Sequence, residues 1–372
     1  MSKKALQCSK MFDSVNGTVV RDVVIFIEGD RITSVEPAAT AKLDGCEVID
    51  LTGKFVTPGL IDCHMHIGMN GAGSSLGTKP YTSLGDATME GLTNVYSDLM
   101  AGFTSVRTCG DMGYSDVAIR NAINRGDFAG PRMMVAGSNL SSTGGHSDTH
   151  YNPYLHEVEV HSGVAGDGPT EMVKLVRTNI KHGVDFIKFM ATGGVMSLGT
   201  TVGAQQMSFE EMEHGMMMDE EGIQLMKEHG TTLVPTIIAA ERIIVKGKEA
   251  GTPDWAIAKA KQVYDRAHWG FTRCMEEGIP IAFGTDSGTP YNFHGKQAYE
   301  FELMVGWGMT PLQALTAATK TASELLRKQD EVGSIEAGKY ADVVAFDGDP
   351  TEDIKVMTNC TFVMKGGEVY KA

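Results

Sequence analysis

Hydrophobic and polar positions divide this 372-residue chain into three textures. Up to about residue 54, short β-branched runs alternate with turn residues. The run 19–28 meets Gly29-Asp30, a hairpin-type turn, and 31–35 returns. The C-terminal stretch has the same character, with runs at 341–347, 361–365 and 368–370 and Gly366-Gly367 between the last two. Between these ends, apolar strand candidates at 55–64, 103–108, 132–137, 185–190, 231–237 and 280–285 are separated by helical stretches. One helix is predicted over 86–101. Another opens at Thr310-Pro311, an N-cap followed by proline at the first helical position, and reaches Arg327. Such alternation predicts a parallel β/α architecture. The simplest arrangement is a small β-sandwich built from both termini, residues 1–54 and 330–372, with a larger domain, 55–329, inserted between them.

Composition narrows the function classes. Hydrophobic residues make up 42%, enough for a sizeable core in one large domain plus a small one. A net charge of −15 argues against nucleic-acid binding. No apolar run reaches the length of a membrane span, and Lys3-Lys4 precede no long apolar segment, so neither a membrane anchor nor a signal peptide is expected. The six cysteines are scattered without a CxxC pair, which suits reduced thiols and a cytoplasmic location. The 23 methionines read as core filler.

The candidate chemistry lies at strand ends. His64-Met65-His66 closes the first apolar strand, and in extended backbone residues i and i+2 face one side, so two imidazoles can grip one metal ion. Lys188 lies in the strand 185–190, and Asp286 ends Ile281-Ala282-Phe283-Gly284-Thr285-Asp286. In a β/α barrel all strand C-termini meet on one face, where sites are built. A charged lysine beside divalent ions would be costly. Reaction with CO2 turns it into a bridging carbamate; the plainer reading is a structural ion-pair lysine. Asp286 can ligate metal and act as general base, or cap a helix. His146, in the long polar loop 141–168 with His150, His156 and His161, is a candidate substrate or transition-state contact. His214 precedes a helix predicted over 216–226; His182 and His229 read as structural.

Together these motifs resemble the amidohydrolase superfamily, in particular the imidazolonepropionase-like branch that contains metal-dependent Xaa-Pro dipeptidases. The likeness rests on Val56-Thr57-Pro58-Gly59-Leu60-Ile61-Asp62, Phe186-Ile187-Lys188, Ala191-Thr192-Gly193-Gly194-Val195, Gly284-Thr285-Asp286 and the tail from Gly333 to Val344. It implies an α/β fold: a (β/α)8 TIM-type barrel with a small β-sandwich. It also implies two divalent metal ions, zinc by expectation, held by His64, His66, Asp286, His214 and a CO2-derived carbamate on Lys188. The implied reaction is hydrolysis of a dipeptide amide bond, Xaa-Pro by expectation, through a hydroxide shared by the ions, with Asp286 as general base and acid. A homo-oligomer acting on a small molecule or dipeptide is expected. A deaminase, a cyclic-amide hydrolase and a non-catalytic metal-binding relative remain alternatives; Lys188 weighs against the first two.

The chain departs from the pattern in one place. Only six barrel strands are clear, and the stretch from Lys188 to Asp286 is too short for the family's strands five to seven and their helices. One βα unit takes roughly 30–40 residues, and about that much is absent near Met212/Glu213. The strand-five histidine has no counterpart. Either the chain is a deletion form or the sequence omits a segment of the natural protein.

Overall fold

Both ends of the chain build one sheet. The computed structural model describes residues 3–72, 82–148, 163–196, 212–215 and 217–372. Strands β1 (Lys3–Asp13), β2 (Thr18–Glu28), β3 (Arg31–Pro37), β4 (Glu47–Asp50) and β5 (Phe55–Pro58) come from the first part of the chain. Strands β13 (Val343–Phe346), β14 (Cys360–Lys365) and β15 (Glu368–Lys371) come from the last. They hydrogen-bond in the order β15-β14-β13-β5-β1-β2-β3, with β4 also on β1. The Gly29-Asp30 turn forms as expected, with Gly29 at a φ of +64° that L side chains avoid. Leu6, Ile25, Ile27, Val56, Val343 and Phe362 pack into one core within this sheet. All six cysteines are free.

The expected first barrel strand, 55–64, is two strands. Phe55–Pro58 pairs with β1 and β13, whereas β6 (Leu60–Met65) enters the parallel set. Gly59 divides them. A Cβ there would lie 2.0 Å from Thr104 Oγ1, so only glycine lets the chain pass this close to its neighbour.

β6, β7 (Phe103–Thr108) and β8 (Arg132–Val135) form a parallel sheet. Residues 185–190 extend it on one side: Asp185 N donates to Val135 O (2.8 Å), and Phe189 bridges Leu140 of β9 (Asn139–Ser141) in parallel. β9 also pairs with β10 (Gly163–Ala165). On the other side, Cys63 N donates to Phe283 O (2.9 Å), and Ile281 bridges β12 (Leu233–Val234), which pairs with β11 (Met212–Glu213). The lateral order is therefore 185–190, β8, β7, β6, 280–287, β12, β11. Among the described residues no hydrogen bond joins 185–190 to β11.

Helices connect these strands. Leu84–Met100 is capped by Ser83, which accepts from Asp86 N; Pro311–Thr316 begins with a Thr310/Gln313 capping box and continues through a π turn to Leu325. The helix expected over 216–226 begins later, as Glu220–His229, because the Asp219 side chain accepts from Gly222 N and caps it there. The strand expected over 231–237 is cut short, because helix Ile237–Lys246 starts right after Thr236. Among the described residues no helix is long and apolar enough to cross a membrane.

Glu300, on helix Tyr299–Gly306, is fully buried beneath the start of helix Ile237–Lys246. Its two oxygens accept from Ile237 N (2.8 Å) and Ile238 N (2.7 Å). Burial outweighs these donors and pushes its carboxyl up from 4.5 to about 8. The folded state thus holds a proton that the unfolded chain releases above its own pKa. Stability from this group is full below about pH 4.5 and is lost as pH rises to about 8, by up to about 1.4 kcal/mol for each unit of pH. Replacing it with the neutral isostere (E300Q) should flatten that part of the stability–pH curve, measured by chemical denaturation at several pH values. An unchanged slope would contradict the assignment.

Candidate metal centre

All six predicted site residues line one cavity. His64 and His66 end β6, and Asp286 ends the neighbouring strand. Asp286 N donates to His64 O (2.7 Å) and His66 N to Ser287 O (2.9 Å), so backbone pairing sets their register. His64 Nε2 lies 3.5 Å and His66 Nε2 3.4 Å from the same oxygen, Asp286 Oδ1. Ligand atoms of His64, His214 and Asp286 all fall within 4.8 Å of one another. The His64 and His214 rings are 4.6 Å apart.

The protonation logic suits a cation. Burial first, then the charge of Lys188 and the neighbouring His66, holds His64 well below the usual imidazole range. His214 is held low by burial, then by His64 and Lys188. Both rings are therefore neutral. Each histidine has its Nδ1 engaged: His64 with Glu213 Oε2 (2.7 Å), His66 with the Gly110 carbonyl (2.7 Å), and His214 with Thr236 Oγ1 (2.5 Å). Carboxylate and carbonyl oxygens only accept, so Nδ1 of His64 and of His66 carries the proton and donates. The Nε2 lone pair of the neutral His64 ring then faces a carboxylate oxygen, which is repulsive without a cation between them. Donors about 2.0–2.1 Å from one tetrahedral ion lie about 3.3–3.4 Å apart, the spacing found here. An outer acceptor on Nδ1 with Nε2 turned inward is how metal-ligating histidines are held.

Lys188 is buried on the cavity wall; its backbone is fixed by Leu140, whose N donates to Lys188 O (2.9 Å). His146 packs against Gly194, where a Cβ would come within 1.9 Å of its ring, and lines the same cavity as His64, His214 and Asp286. His150, His156 and His161 lie outside the described residues. His182 stacks on Tyr114 and His229 ends a helix, away from the cluster.

Sequence reasoning missed the residues that hold the histidines. Glu213 bonds His64 with one oxygen and pairs with Arg107 Nη2 through the other. Arg107 Nε also donates to Cys63 O (2.6 Å). His64, Cys109 and Glu213 also lie close enough to hold an ion. Burial, however, pushes the Cys109 thiol up to about 12, and Arg107 already neutralises Glu213, so this second group is a hydrogen-bond network. The cavity measures about 2090 Å3, against roughly 300–1,000 Å3 for common ligand pockets. Its lining also includes Tyr264, Trp307 and Leu325.

A parallel β/α set with metal-type ligands at its strand ends has the makings of a metal-dependent hydrolase. The amidohydrolase family model matches residues 55–220 and 213–370, in two stretches that share 213–220. The chain belongs to the amidohydrolase family. It is 32% identical to an ochratoxinase of Aspergillus niger over 376 aligned positions, covering 84% of this chain and 75% of that one. A Xaa-Pro dipeptidase solved with bound methionine superposes with a TM-score of 0.90 at 31% identity, over 100% of both chains. A prolidase solved with N-methylphosphonate-L-proline gives a TM-score of 0.90 at 29% identity, over 100% of both.

Glu213 should matter through His64 alone. E213Q keeps shape but removes the charge that fixes the tautomer, and outer partners of this kind are worth about 10–100-fold in metal affinity. Competition with a chelator should show that loss in E213Q. Unchanged affinity would mean that Glu213 serves Arg107 only.

Proposed function

We propose that this protein is a binuclear metal-dependent amidohydrolase that cleaves the amide bond of a dipeptide-like substrate, Xaa-Pro by preference. The observation that carries the reading is the convergence of His64 Nε2 and His66 Nε2 on Asp286 Oδ1, in the cavity that Lys188 and His214 also line. His64, His66 and Asp286 would hold one ion. His214 and a CO2-derived carbamate on Lys188 would hold the second, with the carbamate shared. Zinc suits the nitrogen and oxygen donors. Bound ions supply Lewis acidity toward the scissile carbonyl and ease deprotonation of the attacking water. Asp286 takes that water's proton and returns it to the leaving nitrogen. His146, on the cavity wall, contacts the substrate. The preference for Xaa-Pro is supported by the dipeptidase and prolidase among the solved relatives.

The parallel set reads as a (β/α)8 barrel short of one unit. The reading is supported by the overlap of the two family matches at 213–220, next to β11, which has no hydrogen bond to 185–190 among the described residues. A strand ending in histidine at that place would supply the remaining ligand of the second ion.

Purified protein supplied with zinc and bicarbonate should hydrolyse Xaa-Pro dipeptides faster than other dipeptides or N-acyl amino acids. K188A should lose activity and metal, with partial recovery in short carboxylic acids. Full activity in K188A would refute the carbamate. Deamination of cyclic substrates without peptide hydrolysis would favour the deaminase alternative.

The chain as written should bind the first ion and hold the second weakly, with low activity and a tendency to aggregate. Grafting a prolidase strand-five βα segment between Met212 and Glu213 should raise metal content toward two per chain and raise activity. A soluble, fully active two-metal product from the ungrafted chain would refute the missing-strand reading.

A further inference from the structure

His294 and Asp98 form a second buried pair behind the metal centre. The His294 side chain is 2% exposed and that of Asp98 0%. His294 Nδ1 lies 2.9 Å from Asp98 Oδ2, and its Nε2 lies 3.2 Å from the main-chain oxygen of His66. Carboxylate and carbonyl both accept, so a ring that makes both bonds donates through both nitrogens. The other oxygen of Asp98 accepts from Gly295 N (3.0 Å) and from Gln297 Nε2. Asp98 sits on helix Leu84–Met100, which follows β6, and His294 on the loop that follows Asp286. One turn earlier on the same helix, Asn94 Nδ2 donates to Ile67 O (2.8 Å) and Met69 O (3.1 Å). From the opposite side, Asp111 accepts from Ile67 N (3.2 Å) and Gly68 N (2.8 Å).

The main chain at His66 to Met69 is thus gripped from two directions, and the His66 carbonyl, which also accepts from Met69 N (3.3 Å), is met from outside its own turn by His294. That carbonyl belongs to the residue whose imidazole faces Asp286 Oδ1. We propose that Asp98 and His294 are positioning residues that fix the main chain of His66, and so aim its Nε2 into the metal centre, while clamping the loops after the first and last parallel strands together. Neither residue touches substrate. The proposal rests on the reading of His66 as a metal ligand.

The test uses full-length protein with Co2+ as probe ion. D98N removes the charge that His294 needs, and H294A removes the link. Each should lower affinity for the tighter-bound ion about 10–100-fold in chelator competition and shift the visible Co2+ absorption bands. The double variant D98N/H294Q rebuilds the chain of donors without charge, because the glutamine amide can donate to His66 O while its oxygen accepts from the asparagine. It should recover part of the affinity lost in D98N. Thermal unfolding of the metal-free proteins measures any purely structural role. Variants that lose stability but keep wild-type Co2+ affinity and spectrum would overturn the proposal, as would a double variant no better than D98N. If wild-type protein binds no Co2+ at all, the metal reading of His66 fails and this proposal fails with it. Wild-type binding with unaffected variants sinks the positioning role alone.

Discussion

The pairing of β6 with residues 280–287 is the contact on which the site depends. These segments are far apart in sequence, yet they exchange backbone bonds through Cys63, His64 and His66. Asp62, fully buried at their junction, accepts from His64 N, Thr285 N and Thr285 Oγ1. Burial pushes its carboxyl up to about 7 despite those donors. A buried polar group of this kind is tolerable only when its bonds are made. The bonds that satisfy Asp62 also set the stagger of the two strands. A slip of one residue would turn His64 and His66 to the other face and separate them from Asp286.

That register explains where the backbone is strained. His214, Thr236 and Asp286 have φ of +68°, +47° and +59°, in the left-handed region that non-glycine residues avoid. Each stands where a parallel strand leaves the ring. Such residues cost about 1–3 kcal/mol apiece and persist only where their surroundings over-determine them. Asp286 is held by His64 O at its amide and by Thr289 N at its carbonyl. Thr236 meets His214 through its hydroxyl and gives way at once to a helix whose first amides are bound by Glu300. Local strain is therefore set against long-range pairing, and the result is a tight turn that presents a ligand side chain to the mouth.

The ligand-type residues were legible because their chemistry is rare at strand ends. An HxH after an apolar run, a lysine within one and an aspartate closing another have few other uses in such positions. The supporting residues were not legible. Glu213 follows a run with Glu210 and Glu211 and reads as a solvated face, and Arg107 looks like an ordinary strand arginine. Their roles exist only once β7 and β11 lie across the same interior. The division at Gly59 was hidden for a similar reason. The apolar run continues through it, and only the approach of Thr104 separates the terminal sheet from the parallel set.

The candidate ligands are not restrained equally by the backbone around them. His64, His66 and Asp286 stand on adjacent strands whose pairing is complete on both sides. Among the described residues, the segments that carry Lys188 and His214 each hydrogen-bond to a neighbour on one side: 185–190 to β8 and β9, and β11 with the residue after it to β12. Parallel strands draw part of their stability from burial and pairing on both flanks. On the proposed two-ion reading, Lys188 and His214, which would hold the second ion, are therefore the pair with the fewest backbone restraints among the described residues.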